Sequence, residues 1–195
     1  MADLDLVGQH PNLVMRIFLA FAPFVVFAIL NHSVGTTAAL ICAACVSVIL
    51  LVRGLARRGR KIKVLDIGTF ILFTGLAAYS TIGRHTWSIV GVRLCVDTGL
   101  LLIVLISLTI RTPFTLQYAR EHTEREQWNT PAFICVNYVI STIWAVAFFI
   151  MVGADVVMLY LPTIPKQFGI LVTILTFIGA IYFSSWYPKR LSHVE

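Results

Sequence analysis

Six apolar runs dominate this chain, at residues 13–30, 36–52, 64–82, 88–110, 132–152 and 168–186. Each is close to the roughly 20 residues that a helix needs to cross about 30 Å of hydrocarbon. Backbone inside a bilayer must satisfy its own hydrogen bonds, so runs of this kind fold as helices. Composition agrees: 58% of the 195 residues are hydrophobic and 12% are charged. A soluble domain averages about 25% charged residues, and half that number cannot cover a water-facing surface. The expected class is therefore all-α, a polytopic integral membrane protein. It is one domain, a bundle of six transmembrane helices.

A basic block sets the orientation. Arg53, Arg57, Arg58, Arg60, Lys61 and Lys63 fall between the second and third runs with no acidic residue among them. Such a loop resists translocation and faces anionic lipid on the cytoplasmic side, so these six side chains are candidate contacts to anionic lipid. The same side collects Arg111, Arg120, Arg125, Lys189 and Arg190, which makes eleven basic residues against two, Arg84 and Lys166, on the other. Both termini are then expected to be cytoplasmic. The net charge of +6 has the same origin. No Arg-rich arm with interleaved aromatics occurs, and nucleic-acid binding is not expected. The acidic start of the chain (Asp3, Asp5) lacks the basic region of a signal peptide, so the first run reads as a retained span.

Within the runs, small and breaking residues carry local expectations. Pro23 falls in the middle of the first run and is expected to kink it. Gly68, Gly75, Ala77 and Ala78 predict close helix packing for the third run. Pro131, after Asn129 and Thr130, suits the first position of the fifth helix. Residues 153–161 stay apolar apart from Asp155, and either extend that helix or lie at the interface. Cys42 and Cys45 have redox-like spacing but sit inside an apolar run, where thiols act as small packing residues. The five histidines show no i, i+4 pair, and no metal or other cofactor is expected. No nucleophile elbow, P-loop or dinucleotide fingerprint is present, which makes catalysis unexpected.

Two places could hold function. Arg93 and Asp97 stand four apart in the fourth run, on one helical face. A charge near the bilayer centre costs several kcal/mol, so the pair reads either as an internal ion pair or as a proton- or ion-responsive site facing the bundle. Asn137 in the fifth run is a third intramembrane polar candidate, expected to link helices by hydrogen bonds. The second place is the connection 111–128. It reads as a short helix on the membrane surface after Pro113, with Phe114 and Tyr118 on one face. Arg120 with Glu124, and Glu121 with Arg125, form i, i+4 pairs, and Trp128 closes the segment. These seven side chains make a candidate partner surface.

Several short stretches fall in a familiar order. They are Pro-Phe-Val-Val-Phe at 23–27, Thr-Ala-Ala-Leu-Ile at 37–41, Arg-Thr-Pro at 111–113, then Trp128, Asn137 and Trp-Ala-Val-Ala-Phe-Phe at 144–149. Met-Leu-Tyr-Leu-Pro at 158–162 and Phe168-Gly169 follow. In this order the chain resembles the bacterial intracellular septation protein A family, over the first to the sixth span. Thr112 stands where a second basic residue is expected, and the Arg93/Asp97 pair is foreign to the pattern. The resemblance implies a multi-pass protein of the bacterial inner membrane, working in cell-envelope biogenesis or division through membrane protein partners. It carries no catalytic residues. A small proton- or ion-coupled transporter using Arg93 and Asp97 is the alternative. The sequence leaves a homo-oligomer open.

Overall fold

A computed structural model describes residues 19–56, 63–83, 88–121, 123–161 and 163–192, apart from the side chains of His32, Lys166 and Ser192. Among the described residues the chain is helical and contains no strand. The α-helices are α1 (Ala22–Ser33), α2 (Thr36–Ala56), α3 (Val64–Gly83), α4 (Ile89–Thr109), α5 (Phe114–Ala119), α6 (Pro131–Tyr160) and α7 (Lys166–Ser192), with a 3-10 turn at Arg125–Asn129. Five of them, α2, α3, α4, α6 and α7, are long and apolar enough to cross a membrane. This makes the chain a multi-pass membrane protein by length and composition.

The first run behaves differently from its expectation. α1 has 12 residues, about 18 Å of helix, which is short of a bilayer. Residues 19 and 20 are also helical, Phe21 is a turn, and residues 13–18 lie outside the described residues. Pro23 is in the first turn of α1 and not in the middle of a continuous span. Its missing N–H belongs to the donors that a helix start leaves unused, and the helix is interrupted at Phe21 and resumes at Ala22, which is where the expected break at the proline falls. The fifth run is longer than 132–152: α6 continues through Asp155 to Tyr160. Pro131 is at its start, as expected, with Thr130 before it.

Short connections make consecutive helices antiparallel. Between α1 and α2 only Val34 and Gly35 intervene, and Gly35 has φ +88°, a left-handed turn open to glycine. The ends of α1, α3 and α6 and the starts of α2, α4 and α7 therefore lie on one side, opposite the basic loop. α6 is central, packing against α4 and α7, while α2 packs between α1 and α3. At the middle sits an aromatic cluster. Phe21 stacks on Trp144 at 4.7 Å, Phe177 meets Trp144 edge-on at 5.3 Å, and Phe24 stacks on Phe177 at 5.2 Å. The indole Nε1 of Trp144 donates to Ser184 Oγ at 3.1 Å, so its one polar group is satisfied in the interior.

Small residues bring α3 and α4 together. A Cβ at Gly68 would come within 2.6 Å of Ile103 Cγ1 and 2.8 Å of its Cγ2. A Cβ at Gly99 would come within 2.4 Å of Leu72. Gly75, expected to do the same, has no neighbour within 4 Å of that position. Ile103 is branched close to its backbone and cannot swing away. Gly68→Ala is expected to lower unfolding free energy by about 1–3 kcal/mol, the usual cost of overpacking. Gly75→Ala is the matched control and should be neutral or slightly stabilising in the same detergent melt.

Candidate functional site

The connection after α4 turns inward. Arg111 adopts φ +56°, and the Thr112 N–H donates to Ser107 O at 3.1 Å, which closes the helix end in a Schellman-type turn. Pro113 then starts α5 back into the bundle, where Phe114, Thr115, Leu116, Tyr118 and Ala119 are all buried. This corrects the expected surface helix. Thr115 Oγ1 donates to the Asn137 carbonyl at 2.8 Å and shares a hydrogen bond with Ser141 Oγ at 2.7 Å. Both anchors lie on α6, so α5 is held by polar contacts inside the protein.

Tyr118 OH donates to Asp66 Oδ1 at 2.7 Å, and the Val64 N–H donates to Gln117 Oε1 at 2.8 Å, which caps the start of α3. Burial, followed by the Asp66 charge, pushes the Tyr118 hydroxyl well above the usual phenol range, so it remains a donor. Lys63 Nζ pairs with Glu121 Oε1 at 3.0 Å and lies 3.8 Å above the Tyr118 ring.

Several sequence-level candidates change place as a result. Phe114 and Tyr118 are core residues and cannot form a partner surface. Glu121 pairs with Lys63, because α5 ends at Ala119 and the helical i, i+4 spacing from Arg120 and Glu121 no longer holds. Lys63 is engaged with Glu121 and Tyr118 instead of standing free for lipid. What stays exposed is Glu124, Arg125 and Glu126, beside a half-buried Trp128 that Arg120 and Arg125 flank at 5.8 Å. Arg53 is exposed in the last turn of α2. Arg57, Arg58, Arg60 and Lys61 lie outside the described residues. Cys42 and Cys45 are free and exposed.

On the opposite side, the intramembrane charges converge. Arg93 is the fifth residue of α4, and Asp97 lies about 12 Å along the axis from Ile89. Asp155 comes up from the last turns of the antiparallel α6. Arg93 Nη2 is 3.4 Å from Asp155 Oδ1, and it donates to Gly169 O at 3.1 Å and to Thr173 Oγ1 at 3.0 Å. Asp97 stands one turn along α4 from Arg93, on the same face of the helix. Asp97 is 2% exposed and Asp155 is 0% exposed. Three helices thus meet at one guanidinium and two buried carboxyls. The close approach of α7 uses Gly169: a Cβ there would fall 2.4 Å from Met158 Cε and 2.9 Å from Arg93 Nη1.

The expected Arg93/Asp97 pair is in this way part of a larger centre, and the ion pair of Arg93 crosses to α6. Asp155 was missed as a partner. Its signal was available: an acidic residue in an apolar run, at the depth that antiparallel packing brings level with Arg93. Asn137 does not belong to the centre. It precedes Asp155 by eighteen residues on one helix, about 27 Å. Its Nδ2 donates to Phe133 O at 2.8 Å within α6, and the link to α5 runs through its backbone carbonyl.

With both carboxyls ionised, the centre carries one net negative charge. Among the described residues no group of three or more His, Cys, Asp or Glu is arranged to hold a metal ion. No family model matches the chain, and neither does any curated protein or solved structure.

Proposed function

We propose that this chain is a six-span protein of a bacterial inner membrane, with both termini cytoplasmic, and that its Arg93–Asp97–Asp155 centre couples the movement of a proton or small ion across that membrane. The observation that carries this reading is the meeting of two buried carboxyls with a single guanidinium inside the spans. An uncompensated charge there costs several kcal/mol. One proton or one monovalent cation removes it. A centre that needs one mobile positive charge, built at a contact between three helices, is suited to passing that charge on when the helices shift. The bias of eleven basic residues against two supports the orientation. The apolar run at residues 13–30, to which α1 belongs, is the proposed sixth span.

The test is direct. Purified protein is reconstituted into vesicles containing a pH-sensitive dye, and an inside-negative potassium diffusion potential is imposed. Proton uptake above that of protein-free vesicles is expected. Equal rates in the two preparations would contradict the reading.

A second reading, envelope biogenesis or division through membrane partners as in the septation protein A family, is favoured by one feature. Glu124, Arg125 and Glu126 form an exposed ridge on the basic side, anchored by the Trp128 Nε1 bond to Thr123 O at 2.8 Å. A photoreactive residue placed at Arg125 should crosslink to envelope-synthesis or division proteins in cells. Adducts to lipid or to this chain alone would exclude a partner at that ridge.

A further inference from the structure

α1 and α7 touch at Phe24 and Phe177 and then part. In the gap lies a cavity of about 280 Å³, with Arg93 and Asp97 of α4 among its lining residues. We propose that this cavity binds a small hydrophobic organic cation, with Asp97 as its counter-ion. The inference rests on the reading of the centre as a carrier of one positive charge, and it names the class of substrate that supplies this charge.

Unmet hydrogen-bonding demand decides the sign. Arg93 Nη2 already serves Gly169 O, Thr173 Oγ1 and Asp155. By contrast, Asp97 Oδ2 and Asp155 Oδ2 are buried without a hydrogen-bond partner, and Asp155 Oδ1 has the 3.4 Å ion pair with Arg93 but no hydrogen bond. Of these two carboxyls only Asp97 lines the cavity, so the surplus negative charge of the centre is offered there through Asp97, and a ligand must bring a donor and a positive charge. An ammonium group brings both. Apart from Asn31 and Thr173, the rest of the wall is apolar and aromatic, with Phe24 and Phe27 beside Ile174. Aromatic faces favour a cation as well as an apolar body. The volume is just below the range of about 300–1,000 Å³ that holds drug-sized molecules, so the ligand is small, on the order of one ring with a short amine arm.

The route in is lateral. Ile29 and Ile174 line the cavity and are 64% and 50% exposed, on a surface that faces hydrocarbon. An amine dissolved in the bilayer reaches Asp97 without crossing the polar loops. Because the centre holds one positive charge, ammonium and proton exclude each other there, and bound amine competes with proton uptake.

Phenethylammonium and its neutral counterpart 2-phenylethanol serve as probes, titrated calorimetrically into the purified full chain in detergent. Titration into protein-free micelles of the same detergent subtracts partitioning. Saturable binding is expected, at least about tenfold tighter for the ammonium than for the alcohol. Asp97→Asn should erase that preference. Ala28→Trp puts a ring at an exposed position on the cavity wall and should weaken binding about tenfold without moving the unfolding midpoint. Equal affinity for the two probes, or unchanged binding in both variants, would overturn the proposal. So would an absence of saturable binding. If vesicles of the wild type still take up protons in that last case, the ligand class falls and the coupling reading stands. If binding is seen without proton uptake, the amine site stands and the coupling reading falls.

Discussion

Trp144→Ala is expected to cost about 3–5 kcal/mol of unfolding free energy, the range for deleting a large buried aromatic. Lipid removes the hydrophobic drive between helices, so this loss comes from cavity formation and from dispersion contacts. Trp144 is 1% exposed and packs against Phe21, Phe114, Phe148 and Phe177. It joins α6 to α7 through Ser184 and to the stretch before α1 through Phe21. Truncation would loosen three elements at once. Trp186 is the control, because it is 38% exposed and lies under Arg190 at 5.1 Å. Trp186→Ala should stay within about 0.5 kcal/mol of the wild type. Denaturant unfolding in bicelles, followed by helical circular dichroism, measures both. Equal losses in the two variants would show that the aromatic cluster is not the centre of the bundle.

Arg93→Met is expected to be comparably severe, at about 3–5 kcal/mol, the cost of breaking a buried pair and leaving its partner uncompensated. The variant orphans Asp155 and also removes the donor to Gly169 O and Thr173 Oγ1, where α7 meets α4. If the loss comes from stranded charge, adding Asp155→Leu should return most of it, as apolar replacements of whole buried pairs do. If the loss comes from packing, the double variant should be worse than either single one. The coupling energy of the cycle separates the two cases.

The spans were legible because one signal dominates them. The ends of α3 and α4 fall within one residue of the runs 64–82 and 88–110, since polar loop residues bound both runs. α6 and α7 overrun their predicted ends: α6 continues to Tyr160, two residues short of Pro162, and α7 runs on through Pro188 to Ser192. The place of α5 was not legible. Phe114 and Tyr118 share a face whether that face meets lipid headgroups or protein, and the apolar pattern is the same for both. What decides is the left-handed turn at Arg111 and the Thr115 bonds to α6, and both depend on tertiary context.

The centre was half legible for a related reason. Arg93 and Asp97 are neighbours in sequence, so their four-residue spacing placed them together. Asp155 is distant in sequence and reached Arg93 only when α4 and α6 packed antiparallel. Asn137 failed as a member because depth along a helix, and not polarity alone, decides which residues meet. Lys63 read as one more basic loop residue, yet Glu121 waits for it across the bundle end.

The central claim is that the two buried carboxyls carry the moving charge, and proton uptake by reconstituted vesicles tests it residue by residue. Asp97→Asn and Asp155→Asn should each reduce the rate by about tenfold or more, as removal of an intramembrane relay group does. Glu124→Gln, exposed at the other end of the protein, should leave it unchanged. Wild-type rates in both aspartate variants, with all preparations folded and equally incorporated, would contradict the account.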